Sequence, residues 1–144
     1  DDKFRFFKHA NIGMAVDTPR GLLVPTIFKA DEMTLSALSA EAKSVAKAAQ
    51  GGKISPDLLT GASFTVSNLG SFGVESFTPV INPPQTAILG VCAITTRLKA
   101  DGAVYPAMGL SLTFDHRAVD GAPASRFMQE LCRMLENFSV TLAL

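Results

Sequence analysis

Cysteine and histidine are both scarce in this sequence, two of each among 144 residues. Cys92 and Cys132 lie inside apolar stretches. Two buried thiols fit a reducing compartment and exclude a disulfide framework. The histidines, His9 and His116, are too few for a histidine-built metal centre. A site made from His116 and Asp120 would lack a third strong ligand nearby, so no metal is expected. No apolar run approaches the ~20 residues that cross a bilayer, and Gly or Pro interrupts many of those present. Net charge is also lacking: thirteen basic and thirteen acidic side chains cancel. Neither nucleic acid nor an anionic membrane is expected as a partner on that balance. The first residues contain no apolar h-region, which removes a targeting peptide from the reading. No internal repeat or low-complexity linker occurs.

What is present is the composition of a folded domain, 47% apolar and 18% charged. The length suits one domain spanning residues 1–144. Phe4, Phe6 and Phe7 crowd together ahead of the first element, as in a chain that starts partway into a domain.

Two extended runs are predicted first, Asn11 to Val16 and Gly21 to Phe28, joined by a turn at Thr18-Pro19-Arg20-Gly21. Pro25 removes a ladder donor and belongs on an edge or at a bulge. Leu35, Leu38, Ala42, Val45 and Ala49 recur at helical spacing, with Thr34 as N-cap and Gly51-Gly52 as stop. A helical turn at Ser55 to Leu59 has Ser as cap and Pro in its first position. From Ser63 to Ser67 the alternation is strict, with Phe64 and Val66 on one side and Ser63, Thr65 and Ser67 on the other. Phe77 to Ile81 reads as another extended run. Thr86 to Ile94 has the near-continuous apolarity of a strand covered on both faces. In the last strand Met108, Leu110, Leu112 and Phe114 alternate with polar or small residues. His116 falls on the apolar parity, so the strand is expected to deliver its imidazole to the buried side. A helix then starts near Asp120, with Phe127, Leu131 and Met134 or Leu135 on one face. These elements make an α/β (α+β) sandwich: a mixed β-sheet with helices packed on it.

Two constellations can do chemistry. Asp115-His116-Arg117-Ala118-Val119-Asp120-Gly121 places an imidazole, with a free pKa of about 6.5, at a strand-to-helix junction. A neutral imidazole takes the proton of an attacking thiol, whose own pKa is about 8.5. Asp120 supports the imidazolium or, on the plainer reading, caps the helix. The second constellation is Ser63 to Gly70, where the Ser67 hydroxyl either donates to a developing oxyanion or caps the turn. A Ser-His-Asp hydrolase is disfavoured because Ser67 has no Gly-x-Ser-x-Gly elbow. Cys92 lacks the polar setting of a nucleophilic thiol.

Asp115 to Gly121 resembles the Asp-His-Arg-x-x-Asp-Gly signature of the dihydrolipoamide acyltransferases of 2-oxo acid dehydrogenase complexes. Asn11 to Pro25, Phe64 to Gly70 and Ile81 to Gly90 resemble the same family in the same order. The resemblance implies a chloramphenicol acetyltransferase-like, trimer-forming fold. It implies catalysis of acyl transfer between dihydrolipoamide and coenzyme A, in a channel between subunits. His116 matches the general base and Ser67 the oxyanion donor, the two coming from neighbouring subunits. Asp120 matches the second signature acid, and Asp115 and Arg117 are assigned to structural pairing. Coenzyme A is then a substrate, and the lipoyl group rides on a domain that this chain is expected to lack, together with the subunit-binding domain and the catalytic domain's N-terminal part. The implied partners are other copies of the chain in a homotrimer and a larger core, the lipoyl domain, and the other subunits of the complex. The implied compartment is the bacterial cytoplasm or, in a eukaryote, the mitochondrial matrix. Leu142-Ala143-Leu144 serves either a contact within the core or strand pairing inside the domain. Ser-Asn-Leu-Gly followed by Ile-Asn-Pro-Pro-Gln looks most like enzymes that carry acetyl. The rival readings are a non-catalytic scaffold subunit of the same complex and an acetyltransferase for a small hydroxyl acceptor.

Overall fold

The computed structural model describes residues 5–142. Phe4, Ala143 and Leu144, to which the sequence reading gave roles, lie outside them. Seven strands occur among the described residues: β1 Ile12–Met14, β2 Val16–Thr18, β3 Gly21–Leu23, β4 Thr26–Ile27, β5 Phe64–Asn68, β6 Ala87–Leu98 and β7 Val104–Phe114. Five form one mixed sheet in the order β4-β1-β5-β6-β7. β1 runs parallel to β5 and β5 parallel to β6, whereas β4 and β7 pair antiparallel with their neighbours. β2 and β3 make the separate hairpin that the Pro19-Arg20 turn predicts. Pro25 sits just before the edge strand β4, where its missing N–H costs no ladder bond and its carbonyl accepts from Met14 N at 2.9 Å.

Helix α1, Leu35–Gln50, has the expected ends: Thr34 Oγ1 accepts from Ala37 N at 3.2 Å, and Gly51 is the C-cap. Its apolar stripe buries Val45 and Ala49. The Ser55 turn forms as a 3-10 turn at Pro56–Leu59, although the Ser55 hydroxyl makes no capping bond. Helix α2, Gly121–Glu136, buries only Ala124 fully. Phe127, on its predicted inner stripe, is held by an edge-to-face contact with Phe64, the ring centroids 6.1 Å apart. Helix α3, Phe138–Thr141, follows directly. Of the two cysteines, Cys92 is buried as expected and Cys132 is only half-buried.

Three expectations change. The run Phe77 to Ile81 is not a strand. The segment leading into it is tied to the sheet by single bonds instead of a ladder, Ala93 N to the Val74 carbonyl and Ser111 Oγ to the Phe77 carbonyl, and forms an irregular strap. The alternation in β5 is real, but the fully buried residue is Thr65, 1% exposed, while Phe64 and Val66 are half-buried. Its hydroxyl donates to Gln85 Oε1 at 2.6 Å, and this partner makes a threonine acceptable in the core. Finally, β6 and β7 run longer than predicted. Their ladder continues to Leu98↔Val104, past a register shift between Val91 and Ile94. Pro106 is tolerated there because β7 is the sheet's edge strand.

That extension leaves a two-stranded ribbon beyond the last rung of β5, Asn68↔Val91. Ile94 pairs with Met108 and Leu98 with Val104, so these four side chains share a face, and all four are exposed. The opposite face carries Arg97 opposite Tyr105, with the Lys99 ammonium 5.6 Å from the Tyr105 ring centroid.

Candidate active site

His116 is not delivered to the buried side of the sheet. β7 ends at Phe114, and Ala118 N and Val119 N both donate to the Asp115 carbonyl, at 2.9 and 3.1 Å. The turn they close ends the strand's two-residue period, so parity no longer governs the imidazole. Its side chain is 72% exposed, with the ring centroid 5.8 Å from that of Phe114.

Asp120 is the N-cap residue of α2 by position, and its carbonyl accepts from Ala124 N at 3.1 Å. Its carboxylate makes no capping bond. Instead Asp120 Oδ1 lies 3.5 Å from His116 Nδ1, so the strand-to-helix junction joins the two by a four-residue step. The second signature pair is tighter. Arg117 Nε donates to Asp115 Oδ1 at 3.0 Å and Nη2 to Oδ2 at 2.7 Å, a bidentate clip across the turn. Hydrogen bonds from the Arg117 side chain, then its backbone N–H, pull the Asp115 carboxyl down to about 2, and the same pairing raises Arg117. The clip fixes the turn on which His116 stands, the structural role expected of these residues.

Ser67 lies on β5, half-buried, in the cross-sheet row Ser67↔Gly90↔Ser111. The next turn is set by Asn68, whose Oδ1 accepts from Gly70 N at 2.8 Å. Ser67 and His116 do not meet within one chain. Two strand spacings separate Ser67 from β7, roughly 10 Å. From Ser111 the strand runs on to Phe114, again roughly 10 Å, and Asp115 N, bonded to Thr86 O at 2.8 Å, keeps the chain heading the same way. The two groups can share a site only if a second copy brings one of them. His9, the other histidine, is engaged elsewhere, with Nδ1 3.3 Å from Asp31 and 3.2 Å from Glu32.

Residues 1–143 match the family model of the 2-oxoacid dehydrogenases acyltransferase (catalytic domain). The chain belongs to that family. The dihydrolipoyllysine-residue acetyltransferase component of the pyruvate dehydrogenase complex of Pseudomonas aeruginosa is 44% identical over 138 residues, 94% of this chain and 25% of the relative. The corresponding component from Staphylococcus aureus is 45% identical over 130 residues, 88% of this chain and 30% of the relative. The acyltransferase fold is equally clear. The Azotobacter vinelandii dihydrolipoamide acetyltransferase structure superposes with a TM-score of 0.89 at 42% identity, covering 96% of this chain and 58% of that one. The chain thus spans about a quarter of the length of the first of these relatives. That Azotobacter structure belongs to an investigation of a serine, a histidine and an asparagine in the enzyme's catalytic mechanism, the last two four positions apart. Family membership found the acyltransferase motifs that composition alone left ambiguous. What sequence reasoning missed is the Thr65–Gln85 bond and the strap over Gly90, for which no local pattern exists.

Proposed function

We propose that this acyltransferase domain moves an acyl group, acetyl in the first place, between a dihydrolipoyl thiol and coenzyme A, with His116 as general base, Ser67 as oxyanion donor and Asp120 as support for the imidazole. The observation that carries the reading is the His116–Asp120 pair, 3.5 Å apart, inside the signature segment of a chain belonging to this family. The same four-residue step separates the histidine and asparagine investigated in the Azotobacter enzyme, with an amide there in place of this carboxylate.

Neutral His116 takes the proton of the attacking thiol as its sulfur bonds to the thioester carbonyl carbon. The carbonyl oxygen becomes an oxyanion, to which the Ser67 hydroxyl donates. Collapse breaks the original C–S bond, and the departing thiolate recovers the proton from His116. One thioester and one thiol go in, and one of each comes out. Asp120 faces the imidazolium while it exists.

Self-association into a homotrimer is part of the proposal. The distance between Ser67 and His116 in one chain supports it, as does the bare apolar face of the ribbon, since an isolated two-stranded ribbon is marginal in water. A neighbouring copy would supply Ser67 to His116. The further partners are a lipoyl domain and the other subunits of a 2-oxo acid dehydrogenase complex, in keeping with a neighbour that forms the cubic core of the pyruvate dehydrogenase multienzyme complex. The compartment proposed is the bacterial cytoplasm, after the bacterial relatives. No helix among the described residues is long and apolar enough to cross a membrane.

The test is thioester formation from acetyl-CoA and dihydrolipoamide in the assembled protein, beside its His116→Ala variant. A base of this kind contributes on the order of 100- to 10,000-fold. Transfer by the parent and loss of that size in a folded variant are expected. Full activity in the variant would remove His116 from the mechanism.

A further inference from the structure

The strap that crosses the sheet face passes directly over the Ser67 row. Its backbone is tied down at two points: Ala93 N donates to the Val74 carbonyl at 2.7 Å, and Ser111 Oγ donates to the Phe77 carbonyl at 2.6 Å. Ala93 is free to do this because it lies in the register shift of β6, outside the ladder. A glycine underlies each part of the strap. A Cβ on Gly109 would stand 3.2 Å from the Glu75 carbonyl oxygen. A Cβ on Gly90 would stand 2.7 Å from Ser111 Oγ and 2.9 Å from Phe77 Cζ, closer than real Cβ atoms approach, and a tight 3.1 Å from Phe77 Cε1. The space a side chain would take at Gly90 is therefore filled by the tip of the Phe77 ring.

The direction of the ring follows. The Phe77 backbone is anchored above β7 by Ser111, and the ring reaches back over Gly90 on β6. The next residue in that row is Ser67 on β5, one strand spacing further, about 4.8 Å. The ring tip is thus a wall beside the Ser67 hydroxyl. We infer that Ser111 is a positioning residue that selects acyl size, by holding Phe77 over Gly90 next to the oxyanion donor. The inference rests on the acyl-transfer reading. The carbon that carries the oxyanion also carries the acyl chain, so whatever stands beside Ser67 bounds that chain. A methyl group fits beside a fixed ring, whereas a longer acyl chain meets it.

The readout is the ratio of kcat/KM for butyryl-CoA to that for acetyl-CoA, with dihydrolipoamide as acceptor, in the assembled full-length chain. One methylene in an apolar pocket discriminates by roughly 10- to 200-fold. Phe77→Ala is expected to raise the ratio about 10-fold or more, and Ser111→Ala several-fold in the same direction. The double variant should go no further than Phe77→Ala, because Ser111 acts through the ring. A loss of folded protein lowers both substrates alike and leaves the ratio where it was. An unchanged ratio in Phe77→Ala would mean that the ring is not the wall. An unchanged ratio in Ser111→Ala, or additive effects in the double variant, would remove Ser111 from selection. Each of these leaves acetyl transfer by the parent standing, whereas a parent that transfers neither acyl group overturns the acyl-transfer reading and this inference together.

Discussion

Asp120 Oδ1 reaches to 3.5 Å from His116 Nδ1 while its own helix, α2, begins without a side-chain cap. A carboxylate at Nδ1 favours the tautomer with its proton there, which leaves Nε2 as the nitrogen that accepts from a thiol. An amide oxygen in the same place does the same work. Asp120→Asn is therefore expected to retain most of the transfer activity, and Asp120→Ala to lose considerably more. Steady-state rates of the two variants decide it, and equal losses would mean that the charge itself matters.

In the role proposed for it, Ser67 would act on a charge that exists only in the transition state. Removing one such donor typically costs about 2.7–4 kcal/mol, or 100- to 1000-fold in kcat. Ser67→Ala should lose turnover on that scale with little change in KM. An unchanged kcat would take Ser67 out of the site.

A site built from two copies can be repaired by mixing. His116→Ala and Ser67→Ala proteins, each strongly impaired alone, should regain part of the parent rate after dissociation and reassembly together. Hybrids confirmed by mass that show no recovery would place both groups in one chain.

Arg117 clips Asp115 and holds its carboxyl at about 2, below the ordinary value of 3.8. A depressed carboxyl contributes stability that is fully present above the unfolded value and is lost as pH falls through the folded one. The stabilising difference between the parent and Arg117→Ala should thus hold above pH 4 and shrink as pH falls from about 4 to 2. Thermal unfolding of both proteins across that range measures it. Because the pair is exposed, the difference should be small and should fall with added salt.

Much of this architecture was legible residue by residue. Thr34 and Gly51 mark the ends of α1 because a hydroxyl cap and a glycine stop are local chemistry. The Pro19-Arg20 turn is local in the same sense. The failures share one cause, which is that contact partners come from elsewhere in the chain. Thr65 is buried because Gln85 answers its hydroxyl. The Phe77 strap is irregular because its carbonyls are met singly, by Ala93 N at Val74 and by the Ser111 hydroxyl at Phe77, and not by a strand's ladder. His116 leaves the strand's period because two amides converge on the Asp115 carbonyl. In the candidate site, the family resemblance proposed the residues and their origin in neighbouring subunits, and the cross-sheet register agrees in setting Ser67 and His116 apart within one chain.

A hydrogen atom is the whole side chain that Gly90 offers to Phe77. One methyl there would strike the ring and the Ser111 hydroxyl at once. Gly90 is thus locked by two neighbours at once, and the strand can gain a side chain there only after both the Phe77 ring and the Ser111 hydroxyl have given way.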